Sequence, residues 1–291
     1  MRAVVFDRFG GPEVLRIAGL PDPEPGPGEV RVRVAAAGVQ PFDVAVRRGV
    51  MTKLPIAFPQ RIGQEYAGVV DKGDLPIGTR VLGSTMLSGH ATHVVVPVAT
   101  AVRKPDHLDF PTAAGLVAAA QTASGALLDL AVTAGDVLLV HAAAGSVGTL
   151  AVQLARKAGA TVVGTASPGN HEYLRSLGAL PVAYGDGLVE AVRQLGLKVT
   201  VALDAAGGRA IGQSVELGVP PDRVGTIVDD VAAAQHGTRV VRAARSPERL
   251  AAVVSQPDLV MPIRAYPLDR VAEAHAAVES RHGRGKVVLT T

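Results

Sequence analysis

The chain of 291 residues has no cysteine and no tryptophan. Without thiols there is no disulfide framework and no thiolate ligand for a structural or catalytic zinc, which suits a reducing compartment. Aromatic residues amount to only 3%, so few platforms exist on which unpaired bases could stack. Charge of one sign is scarce as well. The 29 basic and 26 acidic residues are interspersed and leave a formal surplus of +3, with no clustered patch to neutralise phosphates, and no nucleic-acid partner is expected. No uninterrupted apolar run is long enough to span a membrane: the stretch from Ala113 to Ala134 carries Gln121, Thr122, Ser124 and Asp129. No membrane association is expected. Arg2 to Phe6 form a strand-like run with no signal-peptide core or cleavage site, so the expected location is cytoplasmic.

What is present is aliphatic. Hydrophobic residues reach 48% and charged residues 19%, the balance of an ordinary globular protein, and the length fits one large or two medium domains. Residues 1–105 are rich in short valine-bearing runs bounded by Gly and Pro. In Val30-Arg31-Val32-Arg33-Val34 apolar and charged residues alternate with the period of a half-buried strand. The proline-rich segment from Pro21 to Gly28 is a stiff extended connection before it.

From residue 106 to 245 the rhythm changes to short apolar strands alternating with helical windows, the pattern of βαβ units and a parallel sheet. Strands are expected at Val137–Val140, Thr161–Gly164, Val199–Leu203 and Val224–Val228. Val147, Leu150, Ala151, Leu154, Ala155 and Ala158 recur at helical spacing between the first two, and a second helix is expected from Asn170 to Leu177. Residues 246–291 return to the first domain, with a helical window from Leu268 to Ser280 and a terminal strand from Lys286 to Thr290.

The stretch Val137-Leu138-Leu139-Val140-His141-Ala142-Ala143-Ala144-Gly145-Ser146-Val147-Gly148 runs from strand through a turn of small residues into a helix. Such a strand delivers the chain to the carboxyl edge of a parallel sheet. There, small side chains let the backbone approach a diphosphate, and the free N–H groups of the following helix receive its charge. Ala144, Gly145, Ser146, Val147 and Gly148 are the candidate contacts. Ala143 stands where the G-x-G-x-x-G fingerprint has its first glycine. The second strand ends in Val163-Gly164-Thr165-Ala166-Ser167, without the Asp or Glu that would accept a hydrogen bond from the adenosine ribose. Ser167 and Asn170 offer donors to a 2′-phosphate, and His171 and Arg175 are nearby candidates for positive charge. Alternatively, Asn170 is only a helix N-cap and His171 a solvated surface residue. On this pattern the expected cofactor is NADPH. Tyr184 is a candidate to pack near adenine.

Together with Gln153-Leu154-Ala155, Thr165-Ala166-Ser167 with Asn170, and Leu177-Gly178-Ala179, this stretch resembles the cofactor segment of the NADPH quinone oxidoreductase branch of the medium-chain dehydrogenase/reductase superfamily. So do Ala36-Ala37-Gly38-Val39-Gln40-Pro41-Phe42-Asp43, Gly63-Gln64-Glu65-Tyr66-Ala67-Gly68 and Arg284-Gly285-Lys286-Val287-Val288-Leu289. The resemblance implies an α/β fold class: a GroES-like β-rich catalytic domain plus a Rossmann doubly wound parallel-sheet domain that binds NADP, in a homodimer. The zinc ligands of the alcohol dehydrogenase branch fall on positions matching Gln40, Gln64 and roughly Ala118, none of which supplies a thiolate or an imidazole, so a zinc-free enzyme is implied. Gly169 departs from relatives that carry an arginine there.

Without a metal, the expected chemistry is hydride transfer to an acceptor that is already electron-poor, a quinone or an α,β-unsaturated carbonyl (an enone). The protein then needs alignment and an oxyanion donor, not a nucleophile. Gln40 is the candidate donor, Thr122 the candidate nicotinamide contact and Phe42 an apolar wall; in the blander alternative Gln40 satisfies backbone groups, Thr122 packs and Phe42 is core. Asp43 is expected to orient neighbouring backbone. His90 and His93 are read as lying in one strand-like run on opposite faces, which does not suit a metal. A non-enzymatic NADPH-binding sensor or structural protein, and a dedicated biosynthetic reductase, remain alternatives.

Overall fold

The computed structural model describes residues 1–281 and 283–291. They divide into two compact units, residues 1–118 with 247–291, and residues 119–246. The sequence rhythm changes at residue 106, yet the division falls after Ala118, inside a helix. The first turns of that helix are engaged by the first unit: the Ala118 N–H donates to Glu65 Oε1 at 2.6 Å, and Gly115 lies where a methyl group would meet Ile263 and Lys286.

The first unit begins with β1 (Arg2–Phe6), β2 (Leu15–Gly19), β3 (Glu29–Val39), α1 (Pro41–Arg47), β4 (Gln60–Arg61), β5 (Glu65–Gly73), β6 (Arg80–Ser84), β7 (His93–Pro97), β8 (Val102–Arg103) and the start of α2 (Phe110–Asp129). The second holds β9 (Val137–His141), α3 (Ser146–Lys157), β10 (Thr161–Ala166), α4 (His171–Ser176), β11 (Leu180–Ala183), α5 (Leu188–Arg193), β12 (Val201–Asp204), α6 (Ala210–Glu216), β13 (Val224–Thr226), α7 (Asp230–His236) and β14 (Arg239–Val240). The chain re-enters the first unit as α8 (Pro247–Val254), β15 (Ile263–Pro267), α9 (Val271–Glu279) and β16 (Lys286–Thr290).

The larger sheet of the first unit has the order β15-β16-β3-β5-β6-β8, with β7 also paired to β3, and β1, β2 and β4 form a second, three-stranded sheet. The period-two reading of β3 holds. Val30, Val32 and Val34 are buried with Tyr66, Val70, Val81, Val94 and Val96, while Arg33 faces solvent and Arg31 reaches Asp71 at 2.8 Å. Alternation places every second side chain on the core face, which is why a charged residue is tolerated between buried valines.

The sheet of the second unit has the order β11-β10-β9-β12-β13-β14, and all of its pairings are parallel. The strand order reverses at β9, beside which a doubly wound sheet opens a crevice at its carboxyl edge. Leu139, Val163, Ala202 and Val224 come from four adjacent strands and pack with Ile211 and Val192 in one apolar cluster. In α3, Leu150, Ala151 and Ala155 are buried as the periodicity predicts, but so are Thr149, Val152 and Gln153, and Ala158 is exposed at the helix end.

Several boundaries move for local reasons. β13 ends at Thr226, not Val228, because the Thr226 hydroxyl accepts the N–H groups of Val228 and Asp229 at 3.0 Å each and turns the chain. The helix expected from Asn170 starts one residue later, after a single 3₁₀ turn at Pro168–Asn170. The window from Leu268 likewise opens with a 3₁₀ turn before α9. His90 does not lie on β7 as expected: it precedes the strand, next to the bridge that Ala91 makes with Ala3.

Candidate active site

In the second unit, β9 enters its turn through Ala142, which takes a left-handed φ of 57°. The turn is held from β10: the Ala142 N–H donates to Thr165 Oγ1 at 3.1 Å and the Ala143 N–H to the Thr165 carbonyl at 2.9 Å. Gly148 has to be glycine. A Cβ there would lie 2.6 Å from Ala143 Cα and closer still to the Ala142 carbonyl, both backbone atoms that cannot yield. Gly145 differs, because a Cβ on it would touch only the Ala142 carbonyl, at 3.4 Å. It is the N-cap of α3, and having no side chain it leaves the first-turn N–H groups of Ser146, Val147 and Gly148 without an N-cap hydrogen bond. Uncapped donors on a helix of 12 residues, backed by the macrodipole, form a seat for a diphosphate. Ala144 is buried beside them.

At the end of β10, Ser167, Asn170 and His171 come together. Asn170 does not cap α4 with its side chain; its Nδ2 donates to Ser167 Oγ at 3.2 Å, and His171 Nε2 lies 3.3 Å from the Ala166 carbonyl. None of these is a carboxylate. Gly169 opens onto free space on the side where a Cβ would stand. Tyr173 anchors α4 to α3 through its hydroxyl, 3.0 Å from Thr149 Oγ1. Tyr184 follows β11 and is 61% exposed, so a planar ligand could reach its ring.

The next strands towards β14 carry a buried polar row that the sequence did not reveal. His141, Asp204 and Thr226 end β9, β12 and β13. Asp204 Oδ1 accepts the N–H groups of Ala206 and Gly207 at 2.8 Å each, and its Oδ2 accepts the Thr226 hydroxyl at 2.7 Å. His141 Nε2 lies 2.9 Å from Ser214 Oγ; burial pushes its pKa down to about 4, against a weaker opposing pull from Asp204. On the same unit, Thr122 lines a cavity of about 360 Å³ together with Gln121 and residues 241–245.

The first unit holds the other candidates. Gln40 is the N-cap of α1; its N–H donates to Asp43 Oδ2 at 3.0 Å, and its Nε2 donates to Gln64 Oε1 at 2.8 Å. Asp43 therefore orients backbone. Two of the three positions that match zinc ligands are joined amide to amide, and the third, Ala118, offers a methyl group. That donor set does not suit zinc. Phe42 packs against the cluster that contains Val4, Phe6, Ile62 and Leu289. Glu65 is fully buried and pairs with Lys286.

His90 and His93 part company. His93 Nε2 is 3.3 Å from Asp71. The wholly buried His90 lies with Nε2 2.9 Å from the Gly38 carbonyl and 3.9 Å from Asp43, its ring edge-on to His275 at 5.7 Å. Burial drives the His90 pKa to about 4 and that of His275 well below its usual value.

A mainly antiparallel β-rich unit and a parallel sheet with a glycine turn at its strand-order reversal define a dinucleotide-dependent oxidoreductase architecture. The family described as "Alcohol dehydrogenase GroES-like domain" matches residues 26–106, and that described as "Zinc-binding dehydrogenase" matches residues 146–220. The chain is 31% identical to an NADPH-dependent alkenal/one oxidoreductase, chloroplastic, of Arabidopsis thaliana, covering 99% of this chain and 79% of that protein. Its fold is similar to that of the quinone oxidoreductase from Coxiella burnetii (TM-score 0.87, 32% identity, 100% and 99% of the two chains). It is also similar to a mycobacterial protein solved with NADPH (TM-score 0.86, 27% identity, full coverage of both). The chain belongs to the medium-chain dehydrogenase/reductase superfamily, in its quinone oxidoreductase-like branch. It spans 5% of polyketide synthase GfsB from Streptomyces halstedii and 53% of human quinone oxidoreductase, two further relatives. Among the described residues, no helix is long and apolar enough to cross a membrane.

Proposed function

We propose that the protein is an NADPH-dependent reductase that delivers hydride to a quinone or an α,β-unsaturated carbonyl without a metal. The observation that carries this reading is the end of β10, where Ser167 stands in place of an Asp or Glu and, with Asn170, presents hydroxyl and amide groups beside His171. A carboxylate there would accept from a ribose hydroxyl and repel a 2′-phosphate, so its replacement by donors favours NADPH over NADH. The uncapped first turn of α3 supplies the diphosphate seat. Ser146, Val147 and Gly148 contribute backbone N–H groups, while Ala144 and Gly145 keep side-chain bulk away. Tyr184 offers a ring to adenine.

A bound reduced nicotinamide would supply the hydride. The chain's own task is to position it and to stabilise negative charge on the acceptor oxygen. Thr122 contacts the nicotinamide, Gln40 donates from its amide to that oxygen, and Phe42 gives an apolar surface. The amide donors at Gln40 and Gln64 and the methyl of Ala118 support metal independence. We also propose that residues 119–246 form the NADP-binding domain and the remainder the catalytic domain. The protein is proposed to be cytoplasmic, as the absence of cysteine suits a reducing compartment, and a homodimer, for which β14 is the outermost strand of its sheet.

The test is to measure dissociation constants for NADPH and NADH on the same protein, then to screen quinones and enones with the preferred cofactor. NADPH is expected to bind at least tenfold tighter and to be oxidised by a member of the panel. Equal affinities would remove the 2′-phosphate argument. Tight NADPH binding with no turnover would point to a sensor.

A further inference from the structure

Gln121 stands directly before Thr122 on α2, and it is buried. Its side-chain amide makes two hydrogen bonds to one backbone unit 125 positions away: Nε2 donates to the Ser246 carbonyl at 2.8 Å, and Oε1 accepts the Ser246 N–H at 3.1 Å. A side-chain amide bonded in this way engages both backbone polar groups of one residue, as a strand neighbour would. The segment it holds is residues 241–246, which follow β14 without regular secondary structure. Residues 241–245 line the cavity of about 360 Å³ into which Gln121 and Thr122 also face.

Ångström-scale shifts of a loop wall are costly where reacting groups must be aligned. β14 is only two residues long, so it registers the start of the segment, through Thr226 and Val241, whose N–H donates to the Thr226 carbonyl at 2.9 Å. Arg242 adds a pair with Asp230 at 2.6 Å, but that pair is solvent-exposed and constrains little. The far end of the segment is fixed by Gln121.

We propose that Gln121 is a positioning residue for the reductase reaction: through its paired hydrogen bonds to Ser246 it sets the wall of residues 241–245 opposite Thr122, and so the depth of the nicotinamide and acceptor end of the site. This rests on the proposed function, in which Thr122 contacts the nicotinamide. The hydrogen bonds that shape the turn before α3 and the end of β10 run between Ala142 and Thr165, Asn170 and Ser167, and His171 and Ala166. The adenosine end of the cofactor should therefore be blind to Gln121, whereas the reacting end should respond.

The experiment compares wild type with Gln121→Leu, which keeps the volume and removes both hydrogen bonds, and Gln121→Glu, which keeps the shape and the acceptor for the Ser246 N–H but loses the donor. Four quantities are read: the dissociation constant of adenosine 2′,5′-bisphosphate, that of NADPH, and kcat and KM for an acceptor that wild type reduces. Expected for Gln121→Leu are an unchanged constant for the bisphosphate, within twofold, and a loss of tenfold or more in kcat/KM, with a loss at least as large for Gln121→Glu, whose carboxylate faces the Ser246 carbonyl. Wild-type kinetics in both variants would overturn the inference and leave the reductase reading standing. Equal weakening of bisphosphate and NADPH binding would overturn it too, as the sign of a general structural role. If Gln121→Leu does not fold, as judged by its circular dichroism melt, the isosteric Gln121→Glu decides. No cofactor binding or turnover by wild type would remove both readings.

Discussion

Ala143 in the turn after β9 and Gly164 on β10 form a complementary pair: a Cβ built on Gly164 would stand 2.8 Å from the Cβ of Ala143. The alanine at the first position of the glycine fingerprint is therefore accommodated by a glycine on β10, with Leu174 closing the same space. Gly164→Ala should destabilise the protein by about 1–3 kcal/mol through overpacking. Adding Ala143→Gly should recover more than half of that loss. Denaturant melts of the two single variants and the double variant, read as a double-mutant cycle, check this coupling.

Gly148→Ala meets backbone rather than a side chain, so relief is not available. The N-terminus of α3 must move away from the turn. NADPH affinity is expected to fall more than tenfold, together with a lower melting temperature. Fluorescence titration beside a thermal melt measures both, and wild-type values would show that the close approach at Ala142 is not a constraint.

Ser167→Asp places a carboxylate at the end of β10. It would accept from a ribose hydroxyl and repel a 2′-phosphate, so the ratio of NADPH to NADH affinity should drop by tenfold or more. Isothermal titration with both cofactors reads the ratio. An unchanged ratio would place the selectivity elsewhere than at Ser167.

Acid should destabilise the fold over a defined window. Folded His90 stays neutral down to about pH 4, whereas an unfolded histidine takes up its proton near pH 6.5. Between these values the unfolded state binds more protons, so stability falls as pH falls from about 6.5 to 4 and is unaffected above it. One fully buried group of this kind accounts for up to roughly 3 kcal/mol. His141 has the same shift, so the effect is expected in both units. His90→Gln, which can still donate to the Gly38 carbonyl, should flatten the pH dependence of the denaturation midpoint, and an unaltered slope would count against this assignment.

What was legible in the sequence is what is local. The turn from Val140 to Gly148 could be read because strand, small residues and helix follow one another within a dozen positions. The alternation in β3 was readable because its period is two. The quinone oxidoreductase-like branch followed from an ordered series of such local motifs. Three features escaped. Gln121 meets Ser246 across 125 positions, and nothing at either end announces the pair. Asp204 looks like the residue after a strand and Thr226 like the middle of one until β12 and β13 lie side by side. His90 looked like part of a strand because the valines after it are, and only the chain's course past Ala3 takes it into the interior. Element boundaries slipped where a proline or a side-chain hydrogen bond turned the chain, at the helix start after Pro168 and at the strand end at Thr226.

The place of β16 in its sheet has a consequence for synthesis. β16 lies between β15 and β3, and its Lys286 neutralises the buried Glu65. On a ribosome, residues 119–246 have all emerged while β3 still lacks that neighbour and Glu65 its counter-charge. The unit that starts first is thus completed last, and the inserted unit can condense on its own schedule. Until the final strand arrives, an open strand edge and an uncompensated carboxylate are exposed to whatever chaperones the nascent chain meets.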